Sequence, residues 1–277
     1  MTYTYQKPDG KIGIDSKKSF IDSIEGIHIL NCRNIQDIFK NAERLIREEN
    51  PDVTGGALSN VRGNWYEWLI ALGFLEFRNQ NPNSRLLLQL PNISQYDCAR
   101  LYIERIYGYI IDLRAKVGEN ADVSLITSNP DFVIVSEDVI SIDFPDIEPG
   151  NVKFEQIEEI SKVFTQIEHA CSLNDIIGYL AVKSSLRPDR RLQIAHEGSL
   201  MKALYKHVQT REWIINAPGI KYYAVTTKAS AADRRALKTV ATHSVVDVSS
   251  KPQAAVDDLY CVSSGKELKK VFEDILI

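Results

Sequence analysis

The sequence predicts an α/β protein with a central mixed β-sheet flanked by helices, in one domain spanning residues 1–277 whose N-terminal part is helical. Three observations lead there. Apolar residues recur at helical spacing through most of the first 117 positions; strand-like runs then alternate with shorter helical ones; and 277 residues that are 44% hydrophobic and 25% charged suffice for one sizeable core. No internal repeat or low-complexity tract interrupts this pattern.

Taken in order, residues 33–50 place Ile35, Ile38, Phe39, Ala42, Leu45 and Ile46 on one helical face, with Pro51 as a stop. After a loop reading PDVTGGALSN, the segment GNWYEWLIALGFLEF repeats the pattern through Trp65, Trp68, Leu69 and Leu72. Ser94 is placed to cap a helix running to about residue 117, where Gly118 would end it. The stretch VSLITSNPDFVIVSEDVISIDF changes to β composition, with Asn129 and Pro130 as the break in a hairpin or bent strand pair. A helix follows over 154–170, a buried strand over 176–182, and a helix over about 197–210. The remaining expectations are a strand at KYYAVTT, a short helix at AADRRALKTV, a strand at SVVDV and a C-terminal helix from about 265.

The N-terminal residues MTYTYQKPDGKIG lack the apolar core of a signal peptide, and no apolar run has the length of a membrane span. A cytoplasmic setting is therefore expected. Cys32, Cys98, Cys171 and Cys261 are widely separated, so they suggest neither a disulfide framework nor a zinc site. His169 and His207 likewise show no metal-ligand spacing. The net charge of −4 argues against a general polyanion binder, but seven basic residues against two acidic ones over 183–211 give a local +5 and leave −9 elsewhere. Such a segment fits a confined phosphate-binding groove, or a helix with a solvated positive face.

Asp131 and Lys183 stand at the boundaries of predicted strands, 52 residues apart, with a helix between that would make the strands neighbours. A carboxylate and an ammonium would then meet at one sheet edge. The carboxylate, with the Val182 carbonyl, offers oxygen ligands to Mg²⁺, and the ammonium can orient water and stabilise charge on a phosphate. This outline resembles the P-D…(D/E)-x-K nuclease superfamily, with one departure: the position two before Lys183 is Ala181, where the superfamily has an acid. Residues i and i+2 of a strand share a face, so that place beside the lysine is empty. Glu197, at the start of the next predicted helix, would either fill it in space or simply favour the helix dipole.

The segment RPDRR resembles the R-x-D-R element of the CCGG family of type II restriction endonucleases, whose members NgoMIV and SgrAI also move the second acid to a following helix. The likeness extends through NWYEWLI at 64–70, SNPDF at 128–132, VKSSLRPDRRLQIAHEGSLMKALYKHVQTREW at 182–213 and KTVATHSVVDV at 238–248. These blocks look most like its tetrameric branch, of the Cfr-ten-I type. The resemblance implies a restriction-endonuclease-like core and Mg²⁺-dependent cutting of double-stranded DNA at purine-CCGG-pyrimidine before the first C, leaving four-base 5′ overhangs. It implies Asp131 and Glu197 as metal-organising acids, Lys183 as the water-positioning base partner and Glu67 as a further active-site acid. It also implies a homodimer assembling to a homotetramer.

Major-groove chemistry agrees with the reading role of RPDRR: arginine can donate in parallel to guanine O6 and N7, and a carboxylate can accept from cytosine N4. Arg187 and Arg190 are the expected guanine readers, Asp189 the cytosine reader, and by family analogy Arg211 the reader of the outer pair. Trp213, beside it, is the expected anchor between dimers. His196 is expected to be structural, and Asn60 carries no assignment. A rival reading, a cleavage-deficient DNA-binding protein of the same fold, is disfavoured because all four acid and base positions hold competent residues. A structure-selective nuclease would have no use for the R-x-D-R reader.

Overall fold

The chain begins with a small antiparallel ribbon, β1 (Thr4–Gln6) and β2 (Ile12–Ile14), and enters α1 (Ser16–Ile24) through Asp15, whose carboxylate accepts the Lys18 N–H at 3.0 Å. The computed structural model describes residues 2–121, 124–125, 129–246 and 251–277. Neither the ribbon nor α1 was expected from the sequence.

Next comes α2 (Ile35–Glu49), matching the first amphipathic stretch and capped by the Asn34 side chain. The second helix, α3 (Gly55–Gln80), begins well before GNWYEW. The Thr54 hydroxyl accepts the Ala57 N–H at 3.2 Å, so the Gly-Gly pair read as loop is the first turn of a capped helix. After α3 runs β3 (Leu86–Gln89), whose LLLQ sequence is buried throughout and shows no alternation. The helix expected from Ser94 starts later, as α4 (Glu104–Ala121): Asp97 caps a 3₁₀ turn over Cys98–Leu101, and Ser94 donates to the Asn92 side chain. It also runs past Gly118.

The second half supplies β4 (Phe132–Val135), α5 (Phe154–Ile160), β5 (Ile176–Lys183), α6 (Pro188–Arg211), β6 (Lys221–Thr226), α7 (Ala231–Leu237), the single turn α8 (His243–Val246), β7 (Asp258–Cys261) and α9 (Gly265–Leu276). The helix expected over 154–170 is split into α5 and a 3₁₀ turn at Val163–Ile167, after which His169 turns the chain at φ 56°. The expected hairpin is not formed as such, because β4 pairs with β3 and β5; residues 126–128 of its first arm lie outside the described residues. The expected strand at SVVDV is replaced by α8, with 247 and 248 outside the described residues, and β7 takes the edge of the sheet instead.

The five-stranded sheet has the order β3-β4-β5-β6-β7, antiparallel through β5 and parallel thereafter. It is a mixed sheet, as the sequence predicts. Register fixes which side chains share a face: Tyr179, Ala181 and Lys183 of β5 stand beside Tyr222, Ala224 and Thr226 of β6. Extending Phe132↔Leu180 by one residue puts Asp131 opposite Ala181, on that same face. Helix α6 covers this side, packing on β6, while α3 packs against β3 and β5. Gly198 permits the approach of α6: a Cβ there would lie 2.2 Å from the Ala255 carbonyl oxygen and 3.0 Å from the Tyr222 ring. Among the described residues no helix is long and apolar enough to cross a membrane.

Candidate active site

Asp131 sits one residue before β4 and Lys183 ends β5, so antiparallel pairing of these strands brings the two termini together. Lys183 Nζ donates to Asp131 Oδ2 at 2.9 Å and Oδ1 at 3.2 Å, and the Val182 N–H donates to Oδ2 at 2.5 Å. The carboxylate is thereby held at the strand end with its ammonium partner. Burial alone would lower the Lys183 pKa, but the negative charges of Asp131, Glu197 and Glu67 outweigh it and raise the pKa, so the group stays an ammonium.

Glu197 reaches the same region from α6. Because the helix starts at Pro188, Glu197 lies inside it, about two and a half turns along, and not at its N-terminus as the sequence suggested. That removes the helix-dipole explanation. The carboxylate is 4% exposed; its Oε1 accepts from Gln193 Nε2 at 2.7 Å and its Oε2 from the Tyr222 hydroxyl at 2.8 Å.

Glu67 arrives from α3. The sequence left it off the apolar stripe, yet Trp65, Tyr66 and every residue from 68 to 75 are buried, so this helix has almost no solvated face there. Gln89 Nε2 donates to Glu67 Oε2 at 3.1 Å. Burial, and then the negative charge of Asp131, push the Glu67 carboxyl up to about 8, against a partial offset from Lys183. Glu67 and Asp131 open onto a cleft of about 690 Å³ that is also lined by Lys17, Asn64, Gln89 and Asn129.

The raised Glu67 carboxyl reports its burial first and the negative charge of Asp131 second, and a cation beside the two carboxyl groups would lower it. Among the described residues no three His, Cys, Asp or Glu side chains converge on one point. The carboxylates of Asp131, Glu67 and Glu197 offer oxygen donors of the kind a divalent cation takes when it keeps part of its water shell. Glu67 must first lose its proton to contribute. Metal half-saturation of cleavage should improve with rising pH up to about 8, by at most about tenfold per unit, and flatten in Glu67→Gln. Mg²⁺ titrations on both sides of that value check this; an unchanged slope in the variant would assign the proton elsewhere. The same shift lowers fold stability as pH rises from 4.5 through about 8, since the native state holds this proton more tightly than the unfolded chain.

The segment after Lys183 is pinned at several points. Thr227 Oγ1 donates to the Ser184 carbonyl at 2.9 Å, Arg190 donates to the Ser185 carbonyl and hydroxyl at 3.3 Å, and Arg191 pairs with Asp233 at 2.8 Å. Arg187 and Asp189 are exposed at the start of α6 and 3.4 Å apart. The structure brings these three charged residues, Arg187, Asp189 and Arg190, to one helix end.

It does not bring Arg211 there. Arg211 closes α6, 24 residues beyond Arg187, which at the α-helical rise is about 36 Å away, whereas six stacked base pairs span about 20 Å. Its guanidinium pairs with Asp112 at 2.8 Å and lies 4.6 Å from the Tyr109 ring centre. The structure thus places Arg211, the expected reader of the outer base pair, at the opposite end of α6 from Arg187, Asp189 and Arg190. Trp213 follows it, 90% exposed at φ 56°, with Ile215 equally exposed. Tyr222, Gln193 and Gln89 are the site neighbours that sequence reading missed; only Gln193, four residues before Glu197 on a helix, carried a usable spacing signal.

The Cfr10I/Bse634I restriction endonuclease family model matches residues 2–277. The chain belongs to that family. It is 38% identical over 275 residues to the type II restriction enzyme Cfr10I of Citrobacter freundii, covering 96% of this chain and 95% of that enzyme. Its fold superposes on the solved Bse634I restriction endonuclease, alone and with cognate DNA, with a TM-score of 0.85 at 30% identity over 98% of this chain and 96% of the other. As a member of the Cfr10I/Bse634I family it is a type II restriction endonuclease.

Proposed function

We propose that this enzyme is Mg²⁺-dependent, recognises purine-CCGG-pyrimidine in double-stranded DNA and cuts before the first C, leaving four-base 5′-CCGG overhangs. The observation that carries the reading is the continuity of Lys183, at the end of β5, with RPDRR at the start of α6. Three residues separate the group facing the scissile phosphate from the first base reader. Arg187 and Arg190 take the guanines and Asp189 the cytosines. Each good bidentate contact discriminates by about 1–3 kcal/mol, so a dimer presenting two copies of the segment supplies a palindromic site with enough contacts.

In each strand, a water attacks phosphorus and the 3′ oxygen departs, giving 5′-phosphate and 3′-hydroxyl ends. Lys183 orients that water and stabilises charge gathering on the phosphate. Asp131 and Glu197 would hold the cation, with Glu67 in support; when bound, Mg²⁺ supplies Lewis-acid stabilisation of the phosphoryl oxygens. Trp213 and Ile215, exposed at the far end of α6, suit a contact between two dimers, with Arg211 beside them in that contact. Incubating the protein with plasmid and Mg²⁺ and sequencing the ends tests the whole reading. Discrete fragments with CCGG overhangs are expected; intact plasmid would indicate a binding protein only, and a smear an unspecific nuclease.

A further inference from the structure

We propose that Tyr222 is a positioning residue for the Glu197 carboxylate: its hydroxyl selects the one orientation in which an acid carried on α6 stands beside the strand-end pair Asp131 and Lys183. This inference rests on Glu197 acting as a metal-organising acid.

A glutamate on a helix has three side-chain torsions, whereas an acid at 181 would be directed by the strand itself. Moving the acid to α6 therefore creates a need for something that fixes its direction. Tyr222 meets that need from the sheet. It is fully buried on β6, its cross-strand neighbour is Tyr179, and it donates to Glu197 Oε2 at 2.8 Å. Two residues further along the same face, Ala224 pairs with Ala181, so the phenol is rooted in the surface beside the vacant acid position. Gly198, next to Glu197, lets α6 come close enough for the bond to form, since a side chain there would strike the Ala255 carbonyl and the Tyr222 ring. Gln193, the other donor, is exposed and lies on the same helix as Glu197, so it moves with α6 and cannot register the acid against the sheet.

The test uses the intact enzyme bound to a duplex carrying its mapped site. Ca²⁺ binding to that complex is followed by calorimetry, and Mg²⁺ half-saturation of cleavage is measured separately from the rate at saturating Mg²⁺. Tyr222→Phe should weaken both metal constants by about 10- to 100-fold, as removal of an outer-shell partner typically does, with a smaller loss at saturating Mg²⁺ and unchanged metal-free DNA binding. Tyr179→Phe, which removes a buried phenol on the same face, should leave the metal constants alone. Wild-type metal constants in Tyr222→Phe, alongside weakened ones in Glu197→Gln, would overturn the inference while sparing the role of Glu197. Unchanged metal binding in Glu197→Gln would remove that role and the inference with it. Gln193→Ala, at an exposed position that does not disturb the core, supplies a further reading. Its effect should be smaller than that of Tyr222→Phe, and an equal or larger loss would shift the positioning to Gln193.

Discussion

Replacing Lys183 with alanine is expected to lower the cleavage rate by about 10³-fold or more while leaving site-specific DNA binding measurable. The ammonium is mostly enclosed and bonds both oxygens of Asp131, at 2.9 and 3.2 Å. Its loss removes the charge facing the phosphate and the main offset to repulsion between Asp131 and Glu67. The reading segment keeps its own anchors, because Thr227 still holds the Ser184 carbonyl, Arg190 the Ser185 carbonyl and Asp233 the Arg191 guanidinium. Single-turnover cleavage, paired with a gel shift in Ca²⁺, separates the two effects. Retained cutting would exclude Lys183 from the chemistry; joint loss of cutting and binding would mean that the substitution damages the fold.

The parts of the site legible in the sequence were those placed by strand ends. Asp131 and Lys183 needed only two short β runs and the assumption that they are neighbours, and β4 and β5 are paired. Glu197 was visible as an acid but misplaced along its helix, because Pro188 reads as a break when it is in fact the first residue of α6, where a missing N–H costs nothing. Glu67 was obscured by an amphipathic reading of a helix that is buried nearly all round. Four-residue strands such as β3 and β7 carry too little periodicity to recognise, and α8 shows the converse, an apolar run whose Val245 and Val246 face outward. Tyr222 gave no signal, since its role depends on a register between β5 and β6 that no local pattern encodes.

Length along α6 also separates the surroundings of Arg211 from those of Glu197. From Arg190 to Glu197 is seven residues, about 10 Å of helix, so one rigid element carries both the proposed base reader and the buried acid. A displacement of the reader by DNA would move the acid with it. From Arg187 to Arg211 the same rigidity guarantees separation. The helix thus joins the proposed reading end to the proposed active site over its first turns and leads to the exposed Trp213 just past its other end.

Moving the acid back to the strand should restore part of what its removal takes away. Glu197→Ala is expected to reduce cleavage by about 10²- to 10³-fold, and Ala181→Glu added to it to recover at least about tenfold. Ala181 lies on the face shared by Lys183 and, by extension of the register, opposite Asp131, so a carboxylate there points into the same group. Ala181 is 1% exposed, and enlarging a packed position costs about 1–3 kcal/mol on its own. Truncating Glu197 opens space beneath α6 at the same time, so the double variant should melt higher than Ala181→Glu alone. Rates and melting curves for the two single variants and the double variant decide the matter. A double variant that folds, binds its site and cuts no faster than Glu197→Ala would show that occupying the vacant strand position is insufficient, and that the direction in which α6 and Tyr222 present the acid is itself required.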